Sequence, residues 1–172
     1  MKMHPFQEGK MSRKILVPIA FSVYSQGIIN YAASLAGPLG AEMMIVNVIN
    51  ERDLVAVERI ASYGYKVDGE HYVRTIKDER RAMLTQLTKN LTLPEGQVSF
   101  SFRVGDPATE LLKLVVDEQI DMVVMGVKTR DIRHLFTGSV AEQMFARCPC
   151  TVVSYRDQDT IERLQKRIAK HR

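Results

Sequence analysis

The sequence predicts an α/β domain with a parallel sheet and helices on both of its faces. Short apolar runs, typical of strands buried on both sides, alternate along the chain with segments of helical periodicity. The 172 residues, 45% of them hydrophobic, suit one domain with a sizeable core. The sequence shows no apolar run long enough to cross a membrane and no secretory signal. Two cysteines do not make a disulfide framework, so we expect a cytoplasmic protein.

The first half of the chain contains two of the predicted strands. Residues 14–20 form the first apolar run, and residues 43–49 form the second. Between them, residues 22–36 have the apolar spacing of a helix, and Gly37-Pro38 is expected to stop it. The continuous apolar character predicts that both strands are covered on both faces, as interior strands of the sheet are.

The middle of the chain is less regular. Residues 51–72 show no sustained period and indicate a loop or a short irregular helix, whereas residues 74–91 are charge-rich and helical. Val98, Phe100 and Phe102 then alternate with polar residues, which predicts a half-exposed strand at a sheet edge. We expect the two phenylalanines to pack on the core rather than to stack on nucleic-acid bases.

The last third of the chain continues the alternation. Asp106-Pro107 has the pattern of an N-cap followed by proline in the first turn, which predicts a helix to about residue 118. Residues 121–126 form a third buried run, residues 139–147 a further helix, and residues 151–155 the last strand. The order of elements therefore fits a parallel sheet with crossover helices.

The basic charge is concentrated at the two ends of the chain. Residues 1–14 and 156–172 each carry a net charge of +3, while the whole chain carries +4. The body between them is therefore slightly acidic, unlike the basic folded face that meets phosphates in nucleic-acid-binding proteins. The sequence also has no aromatic-rich RNA-binding strand and no Cys/His finger spacing, so we do not expect sequence-specific nucleic-acid binding.

One segment has the features of a phosphate site. In an open parallel sheet, ligands bind beyond the carboxyl ends of the strands, which here are Ile19-Ala20, Val48, Gly105 and Gly126. The chain leaves a strand at Gly126 and re-enters a helix at Gly138-Ser139, whose free N–H groups suit a phosphate. Three cationic residues lie in the same segment: Lys128, Arg130 and Arg133.

A purely structural interpretation of that segment remains open. Ser139 and Glu142 have the spacing of a capping box, which explains both side chains without a ligand. Gly126 could be needed only for the turn after its strand, and the cations could simply be solvated. Capping and anion binding use the same N–H groups, so the residues alone do not decide between them.

Several stretches resemble the universal stress protein family. They are residues 15–22 (ILVPIAFS), the strand tip Met125-Gly126, residues 135–142 (LFTGSVAE) and Cys148-Pro149. The resemblance extends from about residue 14 to residue 155. It implies a Rossmann-like sheet of five parallel strands in the order 3-2-1-4-5, and homodimers that pair through the last strand, Thr151 to Tyr155.

The resemblance also implies a division of the chain and a ligand. Residues 1–12 would be a flexible extension, residues 13–155 the family domain, and residues 156–172 a basic, helical tail. One branch of the family binds ATP, so the ligand would be ATP or another adenine nucleotide, with Mg. The residues that would bind it are Ile19, Ala20, Val48 and Met125 at the base and ribose, Gly126, Lys128, Arg130, Gly138 and Ser139 at the phosphates, and Val140 and Ala141 behind them.

The sequence departs from the family's ATP-binding pattern in three places. Thr129 occupies the position of the second glycine, and the loop before Gly138 is one residue short. Ala20 stands where the first strand usually ends in an aspartate. A Cβ at residue 129 obstructs a left-handed turn close to a phosphate, so the resemblance supports the fold more strongly than the ATP site.

The remaining chemistry-bearing residues form no recognisable constellation. Cys148 and Cys150 fall short of a zinc site, and we expect their side chains to point to opposite faces. No catalytic or metal-binding set of residues emerges, so we do not expect an enzyme, although slow ATP hydrolysis stays open.

Two functions remain. The first is a cytosolic, dimeric stress-response module that binds an adenine nucleotide weakly. The second is an interaction or regulatory module that binds no nucleotide and meets an unknown protein partner through its dimer surface and tail.

Overall fold

The structure is a computed structural model that describes residues 13–53, 55, 69–126 and 140–170. The five described strands form one parallel sheet in the order β3-β2-β1-β4-β5, which confirms the predicted fold class. The strands are β1 (Lys14–Pro18), β2 (Glu42–Asn50), β3 (Val98–Gly105), β4 (Met122–Gly126) and β5 (Thr151–Tyr155). The helices are α1 (Ser25–Leu39), α2 (Gly69–Thr88), α3 (Pro107–Asp117), α4 (Val140–Arg147) and α5 (Gln158–Ala169).

The core consists of two apolar layers, one on each face of the sheet. Successive side chains of a strand point to opposite faces, so neighbours in β1 belong to different layers. Ile15 packs with α1 and α2, whereas Leu16 packs with α3 and α4. Both residues are at most 1% exposed, as expected for a strand covered by helices on both sides.

Helix α1 has the predicted length of 15 residues but begins and ends three residues later than predicted. The Gly37-Pro38 stop is wrong, because the helix contains Pro38 and ends at Leu39, followed by Gly40 in the left-handed conformation with φ 58°. The amide of Ala41 donates to the Ala36 carbonyl at 2.9 Å, which closes the last turn. A proline in that last turn removes a single helical hydrogen bond, so it does not break the helix.

The middle segment differs from the prediction in its boundaries. Helix α2 spans Gly69–Thr88 rather than residues 74–91, so its first turn falls in the stretch predicted as a loop. Residues 51–53 are helical, and residues 54 and 56–68 of that stretch lie outside the described residues. The predicted helix end at Leu91 is wrong, although Leu91 still packs on the α1–α2 side of the core from the following loop.

Strand β3 lies at a sheet edge, as predicted, but only one of its phenylalanines packs well. Phe102 contacts the core beside α2, whereas Phe100 is 44% exposed, so the expectation that both pack is wrong. An edge strand has a neighbour on one side only, and its outer side chains are easily left uncovered.

The C-terminal elements follow the prediction closely. Asp106 caps α3 by accepting from the Thr109 amide at 2.9 Å, and Asp157 caps α5 by accepting from the Thr160 amide at 2.8 Å. On α5, Ile161 and Leu164 are partly buried, while Ile168 is 64% exposed. None of the described helices combines the length and apolar character needed to span a membrane.

Candidate functional site

The reversal of strand order between β1 and β4 marks the candidate site. Helix α1 follows β1 on one face of the sheet, and α4 lies on the other face after β4. The registered pairs between the two strands are Ile15 with Met122 and Leu16 with Val123, close to their amino ends. The carboxyl tips of β1 and β4 are therefore not paired with each other, and such a switch point is where open α/β sheets bind ligands.

The α1 side of this crevice is closed by Ile28. A Cβ added at Gly126 would lie 2.8 Å from the Ile28 Cδ1, closer than real Cβ contacts allow. An alanine at residue 126 would therefore require the end of the Ile28 side chain to move. The sequence suggested a turn or a ligand for this glycine and did not suggest packing.

Four of the predicted site residues come together on the α3–α4 side. Met125 and Ala141 are 5% and 9% exposed, and they belong to one apolar cluster. Val48 and Val140 pack on the edge of this cluster and are partly buried. These four side chains form an apolar wall below the carboxyl edge of the sheet.

The other predicted site residues are placed differently. Ile19 is buried on the opposite face, with the α1–α2 cluster, and Ala20 is exposed at the tip of the crevice. The remaining predicted site residues, together with the loop features that bear on them, lie outside the described residues: Lys128, Thr129, Arg130, Arg133, Gly138 and Ser139.

A buried polar network beside the crevice was not predicted. The Asn47 side chain is 4% exposed, and its Nδ2 donates to the Ile19 carbonyl at 2.8 Å. Arg80 of α2 donates from Nη1 to the Asn47 Oδ1, and its guanidinium lies over the Phe21 ring at 5.8 Å. Phe21 has a left-handed backbone, with φ 50°. This network fixes the tip of β1 to the long helix α2.

The sequence does contain a signal for that network. Asn47 is the one polar residue inside the apolar run of residues 43–49. A polar side chain buried in a central strand needs a hydrogen-bond partner. The identity of that partner, 33 residues away in α2, could not be inferred from periodicity.

Asp106 at the end of β3 is held in its charged form. Its pKa is lowered mainly by hydrogen bonds from the Thr109 amide and hydroxyl, at 2.9 and 2.7 Å, with smaller contributions from the positive charges of Arg52 and Arg147. Its role is therefore that of a helix cap, and the low pKa makes it a poor proton donor near neutral pH.

The two cysteines lie side by side. The sulfurs of Cys148 and Cys150 are 3.5 Å apart, so the expectation that they point to opposite faces is wrong. Immediate neighbours alternate in a strand, but residues two apart share a side, and these residues precede β5 in a bend. Burial raises the pKa of the Cys150 thiol to about 12, and its hydrogen bond with Cys148 adds to the shift. Across the described ranges, no three His, Cys, Asp or Glu side chains group as metal ligands.

A separate cavity of about 440 Å³ lies between the start of α1, the end of β5 and the start of α5. Tyr155 forms one wall, and its ring lies 5.6 Å from that of Tyr31. Asp157, Asp159 and Arg163 also line the cavity.

Comparison with known proteins identifies the family. The model of the universal stress protein family matches residues 11–156. The chain belongs to the universal stress protein family. A universal stress protein of Methanothermobacter thermautotrophicus is 33% identical over 147 residues, which cover 83% of this chain and 94% of that protein.

Solved structures of universal stress proteins share the fold. The structure of MJ0577, a universal stress protein of Methanocaldococcus jannaschii, superposes with a TM-score of 0.64 at 22% identity, over 86% of this chain and 98% of that one. A universal stress protein crystallised in complex with cAMP superposes with a TM-score of 0.58 at 18% identity, over 84% and 97% of the two chains. The fold predicted from the resemblance is therefore the one these proteins adopt.

Proposed function

We propose that this universal stress protein is a regulatory module that binds an adenine nucleotide at the crevice between β1 and β4. The observation that carries the proposal is that backbone pairing between these strands ends at Leu16 and Val123. Their carboxyl tips therefore leave an opening at the switch point, where α/β sheets bind their ligands. The complex of a family member with cAMP supports an adenine-containing ligand.

The apolar wall suits the base of the nucleotide. Val48 presents hydrocarbon surface at the edge of the α3–α4 cluster, to which the buried Met125 belongs, and burial of a base against such surface is favourable. Ala20 is exposed at the tip and adds no carboxylate toward the ribose or base. A site that lacks this polar contact binds more weakly, so we expect millimolar to high micromolar affinity.

The phosphates would lie toward the start of α4, close to Val140. Free N–H groups and the helix dipole at a helix N-terminus favour an anion there. Magnesium would be held mainly by the phosphates of a triphosphate, as is usual for this ion.

We expect binding without dedicated catalysis. A hydrolase needs a base that can activate water and a group that stabilises the developing charge. Asp106 is a capping residue of low pKa, and the Cys150 thiol stays protonated near neutral pH, so neither suits that role. Occupancy of the crevice, rather than turnover, would be the signal.

Calorimetric titration with ATP, AMP and cyclic AMP, with and without Mg²⁺, tests the proposal directly. We expect at least one of them to bind, and the Ala20→Asp variant to bind about tenfold more tightly because it gains a charge-assisted hydrogen bond. Ser22→Asp is the matched control, since it adds the same charge at an exposed position two residues away. Wild-type protein that binds none of the three nucleotides at millimolar concentration would overturn the proposal.

The second candidate function is an interaction module that binds no nucleotide. The exposed Ala20 favours it, and so does strand β5, which has a neighbour on one side only in the described sheet. A second copy could pair with this open edge through Thr151 to Tyr155 and form a homodimer. Ser154→Lys should then shift the protein toward the monomer in analytical ultracentrifugation. Ser99→Lys, on the opposite edge strand, should leave the mass unchanged.

A further inference from the structure

We propose that Cys148 and Cys150 are a reversible oxidation site, in which hydrogen peroxide converts the two thiols into an intramolecular disulfide. The sulfurs are 3.5 Å apart and both side chains are partly buried at the edge of the α3–α4 core. They are the only two cysteines of the chain, so the product has a single possible intramolecular connection.

The local backbone conformation holds the two sulfurs close together. Both residues flank Pro149 in the bend between α4 and β5, and the Cys148 amide donates to the Met144 carbonyl at 2.9 Å. Proline fixes its own φ, which restricts the conformations of this bend. A disulfide has an S–S bond of about 2.05 Å, so bond formation requires the sulfurs to approach by about 1.5 Å. Side-chain rotation in a partly exposed bend supplies a movement of that size.

The chemistry needs the peroxide as its only oxidant. The Cys148 thiolate attacks one peroxide oxygen, the O–O bond breaks, and hydroxide leaves, so that Cys148 becomes a sulfenic acid. The Cys150 sulfur then attacks the Cys148 sulfur, the S–O bond breaks, and the hydroxyl leaves as water with the Cys150 proton. In sum, two thiols and one hydrogen peroxide give one disulfide and two waters. A dithiol reductant reverses the change by thiol–disulfide exchange.

The order of the two steps follows from the surroundings of Cys150. Burial and the contact with Cys148 raise the pKa of the Cys150 thiol to about 12, so it keeps its proton near neutral pH. A protonated thiol is a poor nucleophile, whereas its S–H can donate to a neighbouring thiolate. The Cys150 sulfur also lies 3.8 Å from the Thr151 carbonyl oxygen, which accepts its S–H. We therefore assign Cys148 as the residue that reacts with the peroxide and Cys150 as the residue that resolves the sulfenic acid.

The experiment treats the folded, fully reduced chain with a small excess of hydrogen peroxide and measures intact mass and free thiols. We expect the mass to fall by about 2 Da, the loss of two hydrogen atoms, and the count of free thiols to fall to zero. A dithiol should restore both, and non-reducing electrophoresis should show a monomeric chain. A disulfide-linked dimer, a gain of oxygen atoms, or unchanged thiols would each overturn the proposal.

Single-cysteine variants separate the two roles. In Cys150→Ser, the sulfenic acid at Cys148 has no resolving thiol, so it should accumulate and be trapped by dimedone. In Cys148→Ser, dimedone labelling should be at least about tenfold slower, because burial, the largest cause of the raised pKa of Cys150, still favours the protonated thiol. Equal labelling of the two variants would contradict the assigned order. The same variants unfolded in urea are the matched control, and there the two labelling rates should agree.

Discussion

The ring of Tyr155, at the end of β5, lies directly over Gly27 of α1. A Cβ at residue 27 would come within 2.8 Å of the Tyr155 Cζ. Tyr31, one turn further along α1, packs against the same ring at 5.6 Å between centroids. The last strand is therefore fixed to the first helix by an aromatic side chain that needs a glycine beneath it.

Gly27→Ala should destabilise the fold even though alanine is the better helix former. The overlap with Tyr155 requires the ring to move, and overpacking of this kind costs about 1–3 kcal/mol. The higher helix propensity of alanine relative to glycine offsets about 0.5–1 kcal/mol of this loss. Urea unfolding should therefore show a net loss of stability. Gly37→Ala in the same helix is the control, because its Cβ would make an ordinary contact of 3.7 Å with Leu93, and it should stabilise the protein slightly.

Gly126→Ala tests whether packing explains the first glycine of the family motif. The new Cβ would lie 2.8 Å from the Ile28 Cδ1, so we expect a loss of about 1–2 kcal/mol in the free energy of unfolding. Ile28→Val removes that Cδ1 and should cost about 0.5–1.5 kcal/mol alone. In the double variant the two losses should fall short of additivity. Full additivity in this cycle would show that Ile28 does not limit residue 126.

Asn47→Ala should be among the more damaging single changes near the crevice. It leaves the buried Ile19 carbonyl without its donor and the Arg80 guanidinium without its acceptor. The expected loss is about 1–3 kcal/mol in the free energy of unfolding. Asn30→Ala is the comparison, because Asn30 accepts from Gln26 at an exposed site and its loss should cost less than about 0.5 kcal/mol. Similar losses at the two positions would mean that the buried network contributes little.

Asp106 should make stability depend on pH. Its pKa is lower in the folded chain than the ordinary value of 3.8, so the folded state binds fewer protons and gains stability as the carboxyl ionises. The contribution is complete above pH 3.8 and disappears as pH falls through the lowered pKa of the folded state. Asp106→Ala should cost about 1 kcal/mol near neutral pH and less in acid. Asp106→Asn keeps a capping oxygen without the charge, so its stability relative to Asp106→Ala should not change across that range.

Local sequence pattern predicted the strands well and the ends of elements less well. Continuous apolar runs marked β1, β2 and β4, because a strand covered on both faces has little choice of composition. The end of α1 was misplaced because a proline in a final turn removes only one hydrogen bond, and periodicity does not weigh that cost. The prediction that Phe100 packs on the core was wrong because of a similar limit of periodicity. Alternation shows which face a side chain is on but not whether a helix covers it.

The nucleotide site itself stays a prediction, but the positions of some of its residues can be compared with the structure. The resemblance to the family placed Val48, Met125, Val140 and Ala141 at one site, and the structure brings these four together. The hydrogen bond between Arg80 and Asn47 could not be predicted from the sequence. The two residues are far apart in the chain and meet only because α2 packs over β2. The shared orientation of Cys148 and Cys150 is predictable from the sequence, because residues two apart lie on the same side of an extended chain.

Because β1 and β4 share only two registered pairs, the sheet is expected to open most easily between these two strands. Strands β1 to β3 form a block with long ladders, extending from Met43–Val98 to Asn50–Gly105 between β2 and β3. Strands β4 and β5 form a second block, paired from Met122–Thr151 to Gly126–Tyr155. Weakly joined units of this kind open separately, at a free energy below that of global unfolding. Amide hydrogen exchange should therefore report two cooperative blocks, and a ligand that bridges the β1 and β4 tips would slow exchange in both at once.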